Sequence, residues 1–143
     1  MAETIRIFVL AVPVAQPRAR AVAFAGHARV YDDKKHPVSS FKATVRMALR
    51  EVYRGEPLGG PLRCDCLFVM PRPKSLVWKT KPMPRVPHSI KPDRDNLDKA
   101  VMDSLKGLAW NDDAQVCQGE IEKWIASGDE QPHAVITITK LEI

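Results

Sequence analysis

Two close pairs of aspartates bracket a segment that has the periodicity of one amphipathic helix. The first pair is Asp93 and Asp95, and the second is Asp112 and Asp113. Six of the 17 carboxylates of the chain fall within the 21 residues from Asp93 to Asp113. Crowded carboxylates repel one another, and this repulsion destabilises a fold unless a cation offsets it. Because Mg²⁺ takes a few carboxylates together with waters and phosphate oxygens, the pattern predicts a divalent-metal site.

The rest of the chain is strongly basic. The 143 residues carry a formal net charge of +5, and outside the Asp93–Asp113 segment 19 basic residues stand against 11 acidic ones. The stretch from Pro71 to Pro92 contains six Lys or Arg residues, six prolines and no carboxylate. A basic surface attracts polyanions, and nucleic acid is the commonest polyanion that a small basic protein meets. Charge and acidic cluster together therefore predict a metal-dependent nuclease.

Each part of the acidic segment also has a purely structural explanation. Asp95 is suited to an N-cap, Asp95 and Lys99 are spaced for an i,i+4 salt bridge, and Asn111–Asp113 has the composition of a turn. Two functional alternatives stay open: a DNA-binding module without catalysis, and a metal enzyme acting on another phosphate ester. The four histidines show no H-N-H arrangement, and His88 is expected to be an ordinary loop residue.

Hydrophobic periodicity predicts the elements that must position these aspartates. The predicted strands are Thr4–Val12, Leu62–Met70, Val116–Ala126 and His133–Leu141, and the predicted helices run from Ser39 or Ser40 to Gly55 and from Asp95 to Gly107. The first strand has apolar residues at odd and even positions, which favours burial on both faces. The last two strands are expected to pair as an antiparallel hairpin. Residues 14–37 are expected to form a basic loop or loose hairpin, and residues 71–92 a flexible basic loop, since proline is so dense there. The chain is thus predicted to be one α+β domain over residues 1–143, with a small mixed β-sheet and two main helices.

The second predicted helix relates the acidic residues to one another. Its buried stripe comprises Leu97, Ala100, Val101, Leu105 and Leu108. Asp95 and Lys99 lie opposite this stripe and one turn apart, so both side chains are expected to face solvent. Asp93 is expected in extended conformation just before the helix. If the following strand packs beside the helix, as a short connection requires, Asp113 can meet Asp93 and Asp95.

Cysteine content and hydropathy indicate the compartment. Cys64, Cys66 and Cys117 are an odd number without metal-ligand spacing, so reduced thiols are expected. No apolar run approaches the ~20 residues that span a bilayer. Glu3 and Arg6 interrupt the N-terminal apolar patch, which favours a strand over a signal peptide. These features predict a cytoplasmic protein that has no membrane partner.

Two stretches of the acidic segment form a recognisable pattern. They are Lys91–Leu97, followed by Lys99, Asp103, Leu105 and Gly107, and Trp110–Val116. Together they closely resemble the signature of the RusA family of Holliday-junction resolvases, small endonucleases common in bacteriophages and prophages. The D-x-D-N-L-x-x-K element with its D-D-x-Q partner is far more specific than an isolated D-x-D. Weaker resemblance covers Val12–Arg20 and Met70–Lys74. The chain departs from the family pattern at Ser104, at Asp98, which adds a charge near the site, and in the loose N-terminal motif Ala15–Arg18.

The resemblance implies a homodimeric fold and Mg²⁺-dependent cleavage of four-way junction DNA by paired nicks, in recombination and repair, with Mn²⁺ as a substitute. It implies that Asp93, Asp95 and Asp113 are catalytic residues and metal ligands. Lys99 matches the essential lysine, and Asp112 matches a further family position and is an additional candidate ligand. The candidate DNA-phosphate contacts are the basic residues of the N-terminal arm and the proline-rich loop: Arg18, Arg20, Lys74, Lys79, Lys81 and Lys91.

Overall fold

Two helices pack against one face of a six-stranded mixed β-sheet. The structure, a computed structural model, describes residues 3–17, 20–24, 27–31 and 37–143, with the backbone alone for residues 20–24 and 27–31. The strands are β1 (Thr4–Val9), β2 (Arg20–Phe24), β3 (His27–Tyr31), β4 (Leu62–Met70), β5 (Val86–Pro87), β6 (Val116–Gln118), β7 (Ile121–Ile125) and β8 (His133–Lys140); the helices are α1 (Val38–Val52) and α2 (Arg94–Leu105), and Lys74–Leu76 and Asp113–Gln115 form single 3₁₀ turns. The predicted α+β architecture is confirmed. The predicted loose hairpin is present as the antiparallel pair β2–β3.

The sheet order is β1-β8-β4-β7-β5, with β6 pairing to the start of β4. Strand β4 pairs antiparallel with β8 and parallel with β7, so α2 lies on the crossover between the parallel strands β4 and β7. The expected hairpin between the last two strands is wrong, because β4 lies between them. Their connection passes over the end of β4, where Ala126 N donates to Met70 O (2.9 Å).

Burial of β1 differs from the prediction. Ile5, Ile7 and Val9 are buried against the helices, but Phe8 is 57% exposed and Leu10 is 65% exposed. The helices cover only one face of the sheet, and β1 lies at its edge. Burial on both faces is therefore wrong for this strand. On the open face the Phe8 ring stacks on His133, with centroids 5.0 Å apart.

The single strand expected at residues 116–126 is broken in two by Gly119. Its φ of +151° lies outside the range that side chains readily adopt, and a Cβ there would lie 1.9 Å from the carbonyl oxygen of Cys64. This close approach lets β6 pair with β4 at Leu62 and lets β7 resume pairing at Cys66. The break therefore moves the residues after Asp113 across the start of β4, beside α2.

Helix α2 buries Leu97, Ala100, Val101 and Leu105 of its predicted stripe, and Leu108 beyond its end is half-buried. In α1 the periodicity predicts a buried side of Phe41, Val45, Ala48, Leu49 and Val52, but Val52 is 57% exposed. Helix α1 buries Phe41, Val45 and Leu49 but ends at Val52, before Gly55. Helix α2 ends at Leu105, and Gly107 follows with a φ of +86°. No helix in the described part of the chain is long and apolar enough to cross a membrane.

Candidate functional site

Asp93 and Asp95 lie at the N-terminus of α2 and share one cavity. The expectation that Asp95 caps the helix is wrong: α2 begins at Arg94, and Asp93 occupies the N-cap position, where its carbonyl oxygen accepts from Leu97 N (3.2 Å). The Asp93 side chain makes no capping hydrogen bond, and both carboxylates are exposed. The open cavity has a volume of about 890 Å³ and is lined by His88, Ser89, Ile90, Lys91, Asp93, Arg94, Asp95 and Lys123.

Lys123, which no sequence pattern marks, fixes the backbone segment that leads to Asp93. From β7 its Nζ donates to the carbonyl oxygens of Ile90 (2.8 Å) and Pro92 (2.6 Å). The two hydrogen bonds tie the segment before α2 to the sheet. They also place a positive charge beside the carboxylates of the cavity. Nothing in the alternation of β7 distinguishes this lysine from an ordinary strand residue, since its role depends on a segment more than 30 residues away.

His88 also lies in this cavity, although the sequence predicted an ordinary loop residue. Its backbone N donates to the carbonyl oxygen of Lys123 (3.1 Å), and its side-chain Nδ1 is buried with no hydrogen-bond partner among the described residues. Burial lowers the pKa of the imidazole, and the charge of Lys123 lowers it further. His88 is therefore neutral at neutral pH.

Lys99 faces solvent one turn beyond Asp95, as predicted. Its side chain is 63% exposed, and its Nζ lies 3.7 Å from Asp103 Oδ1. Lys42 of α1 approaches the other oxygen of Asp103 at 3.8 Å. Among the ion pairs of the described residues, Lys99 is thus paired with Asp103 and not with Asp95. The ion pair is largely exposed, which leaves Lys99 accessible to an anion.

The carboxylates of the neighbours Asp112 and Asp113 have different hydrogen-bond partners. Asp112 is the N-cap of the Asp113–Gln115 turn, and its Oδ1 accepts from Ala114 N (2.9 Å). Asp113 Oδ1 instead accepts from Nε1 of Trp110 (2.8 Å), whose ring is fully buried. The turn alternative therefore holds for Asp112, whereas Asp113 is a partly exposed carboxylate anchored to the core.

Gln115 holds this turn in place. Its Oε1 accepts from the backbone N of Asn111 and of Asp112, both at 3.0 Å. Its Nε2 donates to the carbonyl oxygens of Leu58 (2.9 Å) and Gly60 (3.0 Å). These four contacts connect the Asp113 turn to the segment that leads into β4. They explain in physical terms why a glutamine follows the two aspartates.

Asp98 shows where the Asp113 turn lies relative to α2. It is half-buried, and its Oδ1 accepts from the Cys66 thiol at 3.7 Å. Burial raises the pKa of the Asp98 carboxyl, and the negative charge of Asp113 raises it further. Asp113 thus approaches α2 from the side of Asp98, one turn beyond Asp95. Within the described ranges, no group of three or more His, Cys, Asp or Glu side chains is close enough to hold a metal ion.

The candidate DNA contacts fall into two groups. Lys74, Lys79 and Lys81 are exposed along the proline-rich segment, and exposed Lys91 lines the cavity of Asp93. Arg18 lies outside the described residues, and only the backbone of Arg20 is described. The arm that leads to both arginines starts beside the site, since Gln16 N donates to Asn96 O (2.9 Å).

The proline-rich segment is anchored at several points rather than being a free loop. Arg72 donates to the carbonyl oxygens of Leu76 (2.7 Å), Pro84 (2.9 Å) and Ala126 (3.2 Å). Arg85 makes a bidentate contact with Glu130, with distances from 2.6 to 3.0 Å. Strand β5 adds a short edge to the sheet beside β7. The lysines therefore project from a fixed support.

Comparison with known proteins identifies a family match and a relative. A family model described as "Endodeoxyribonuclease RusA" matches residues 11–139 of the chain. A protein of Bacillus subtilis (strain 168), named "Uncharacterized protein YqaN", is 28% identical over 144 residues, which cover 97% of this chain and 98% of that protein. The family match includes both aspartate pairs, the lysine of α2 and the proline-rich segment.

Proposed function

Because this chain belongs to the RusA family of endodeoxyribonucleases, we propose that it is a metal-dependent nuclease that resolves four-way DNA junctions by paired nicks. It would serve recombination and repair in the cytoplasm of a bacterial cell or of a phage-infected host. The observation that carries the proposal is the pairing of two exposed carboxylates, Asp93 and Asp95, in a cavity bordered by a carboxylate-free cationic segment. A polyanion can bind the cations and present a phosphate to the carboxylates.

The donor set suits Mg²⁺. This ion is bound by one or two carboxylates and otherwise by waters and phosphate oxygens, so Asp93 and Asp95 suffice as its first protein ligands. Asp113 is the third candidate: Trp110 holds its carboxylate, and its charge acts on Asp98, one turn beyond Asp95 on α2. The same oxygen donors suit Mn²⁺. Asp112 is assigned to the turn, because its carboxylate already caps it. When bound, the cation lowers the pKa of a water and polarises the phosphate.

The chain's own residues position the substrate and stabilise charge. Lys123 holds the Ile90–Pro92 segment and so fixes the position of Asp93. Lys99 offers an exposed ammonium one turn from Asp95, where it can stabilise the additional negative charge of the phosphorane-like transition state. Lys74, Lys79, Lys81 and Lys91 neutralise neighbouring phosphates and set the register of the DNA without reading its sequence.

Resolution of a junction also bears on the assembly. One site cuts one strand, whereas resolution needs two symmetrically placed nicks, so we propose a twofold homodimer. The open face at β1, with Phe8, Leu10 and Val12 each about half exposed or more, offers apolar surface for such a contact. A dimer would sediment at twice the 16.0 kDa of the chain.

One cleavage experiment tests the proposal against its alternatives. Labelled junction, duplex and single-stranded DNA are incubated with the protein in Mg²⁺, Mn²⁺, Ca²⁺ or EDTA. Paired nicks in the junction are expected in Mg²⁺ and Mn²⁺, with binding but little cutting in Ca²⁺, whose looser shell positions water poorly. Asp93→Asn and Asp95→Asn should bind and not cut, whereas the matched exposed carboxylate variant Glu51→Gln on α1 should cut normally.

The remaining outcomes would support one of the alternative functions or exclude the metal site. Binding without cutting in every metal would indicate a DNA-binding module. Hydrolysis of a small phosphomonoester without junction cleavage would indicate another phosphoesterase. Full cleavage in EDTA would eliminate the metal site.

A further inference from the structure

The proline-rich segment presents an aromatic ring to solvent among its cations. Trp78 is 37% exposed, whereas Trp110 is fully buried in the core. The Cζ atom of Arg72 lies 5.0 Å from the indole centroid, and Nζ of Lys81 lies 5.8 Å from it. Lys79 follows directly in the sequence and is exposed. Proteins that bind unpaired nucleic acid combine these two features: aromatic rings on which bases stack, and cations that track the phosphates.

Hydrogen bonds hold the backbone around Trp78 in place. Arg72, which precedes Trp78 in the sequence, donates hydrogen bonds to three backbone carbonyl oxygens. Because its guanidinium makes these contacts within the fold, it is not free to bind a phosphate. The backbone N of Trp78 donates to Sδ of Met83 (3.2 Å). Met83 O in turn accepts from Gly128 N (2.9 Å), which docks the end of the segment on the connection between β7 and β8. Because little conformational freedom remains to be lost, the ring is prepared to bind a flat partner.

We propose that Trp78 is a stacking platform for a nucleobase exposed at the branch point of the DNA. The inference rests on the proposed function and specifies how the same site distinguishes its substrate. In continuous duplex both faces of every base are covered by neighbours, whereas stacking is interrupted at a branch point. A base that is already unstacked costs least to capture. Lys79 and Lys81 hold the flanking phosphates of any DNA, and Trp78 adds affinity only where a base face is open.

The variants separate ring stacking from apolar bulk and from charge. Trp78→Phe keeps an aromatic ring, Trp78→Leu keeps apolar volume without one, and Trp78→Ala removes both. Val77→Ala changes the preceding residue, which is 57% exposed on the same segment, and serves as the matched control. Thermal unfolding checks that each full-length variant is folded. Dissociation constants for a fixed junction and for a duplex of equal length are measured in EDTA over a range of salt concentrations.

The expected result is selective. Trp78→Ala should weaken junction binding by roughly 5- to 150-fold, the range for loss of one base–aromatic stack, with duplex affinity and the salt slope unchanged. Trp78→Phe should retain most of the affinity, Trp78→Leu should resemble Trp78→Ala, and Val77→Ala should match the wild type. With 2-aminopurine at the branch point, the wild type should quench its fluorescence, and Trp78→Ala should not.

Three outcomes would overturn the inference. They are unchanged junction affinity in Trp78→Ala, equal losses on junction and duplex with a flatter salt slope, and Trp78→Leu binding as well as Trp78→Phe. Cleavage by wild type in Mg²⁺ separates this inference from the proposed function. If the wild type cuts junctions and Trp78→Ala binds them as tightly as the wild type does, the stacking role is refuted and the proposed nuclease function stands. If the wild type never cuts junctions, the proposed nuclease function is refuted.

Discussion

Asp112 and Asp113 are chemically identical neighbours, yet the structure predicts opposite consequences for the same substitution. The carboxylate of Asp112 caps a turn through Ala114 N, whereas that of Asp113 is held by the buried Trp110 and acts electrostatically on Asp98. Asp112→Asn should therefore leave cleavage close to that of the wild type. Asp113→Asn should abolish it. The two variants control each other for local structure and for loss of one negative charge.

The expected changes in the free energy of unfolding follow from the hydrogen bonds that each substitution keeps or weakens. Asn caps helical turns as well as Asp does, so Asp112→Asn should change the free energy of unfolding by less than about 0.5 kcal/mol, whereas Asp112→Ala should cost about 1 kcal/mol. In Asp113→Asn the amide oxygen still accepts from Trp110, so a charge-assisted hydrogen bond becomes a neutral one at a cost of about 1 kcal/mol. Both asparagine variants should remain folded. The catalytic loss in Asp113→Asn should exceed the roughly 10- to 100-fold typical for outer partners of a metal ligand.

Single-turnover cleavage of a labelled junction in Mg²⁺ measures the difference, and thermal unfolding confirms the fold. The assignment also predicts that the pKa of Asp98 falls in Asp113→Asn, because the negative charge of Asp113 that raises it has gone; carboxyl NMR can follow this shift. Equal loss of cleavage in Asp112→Asn and Asp113→Asn would refute the separation of roles. Cleavage by Asp113→Asn within a few-fold of the wild type would remove Asp113 from the catalytic set.

Three further predictions concern the surroundings of the site. Replacing Lys79 and Lys81 together with Ala should flatten the dependence of log K on log[salt] by about two, since each phosphate contact contributes about 0.9; an unchanged slope in titrations would remove them from the interface. Lys123→Met removes the two hydrogen bonds that hold the segment before Asp93, and it should slow single-turnover cleavage by about 10- to 100-fold while binding stays within a few-fold. Equal losses in binding and cleavage would count against a positioning role. The side-chain hydrogen bond from Arg85 lowers the pKa of Glu130 from 4.5 to about 2, so its stabilisation is present above pH 4.5 and is lost as pH falls toward 2. For this solvent-screened pair it should be about 1 kcal/mol, so in urea unfolding the loss of stability between pH 7 and pH 3 should be smaller in Glu130→Gln than in the wild type by most of that amount.

Periodicity predicted the elements well because it reflects burial directly. Strand β4 was predicted at its observed bounds, since its alternating apolar residues face a single helical layer. The exposed face of α2, with Asp95 and Lys99, followed from the apolar stripe on the opposite side. Strand pairing did not follow, because the same alternation suits β8 as a partner of β7 or of β4. The crossover connection through α2 determines that β8 pairs with β4 and not with β7. This connection depends on the whole chain and not on a local pattern.

The candidate site was only partly predictable for a related reason. The aspartates and Lys99 stand close together in sequence, so their spacing was informative. Lys123 and His88 act through backbone contacts between β7 and the segment before α2, and no local pattern records such contacts. The division of labour between Asp112 and Asp113 is likewise invisible in their residue type. It depends on which backbone and side-chain donors the turn brings to each carboxylate.

The placement of the carboxylates couples the proposed metal binding to the proposed DNA binding. Asp93 and Asp95 are exposed, and no group of three or more His, Cys, Asp or Glu side chains among the described residues is close enough to hold a metal ion without other ligands. Phosphate oxygens are natural further ligands for Mg²⁺, so we infer that DNA bound along the cationic segment supplies what the protein lacks. Without a cation the same two carboxylates repel the phosphate. Coupling between two ligands is reciprocal, so a metal that binds more tightly beside DNA must strengthen DNA binding by the same factor. The chemistry is then assembled only where a phosphate already lies against the N-terminus of α2.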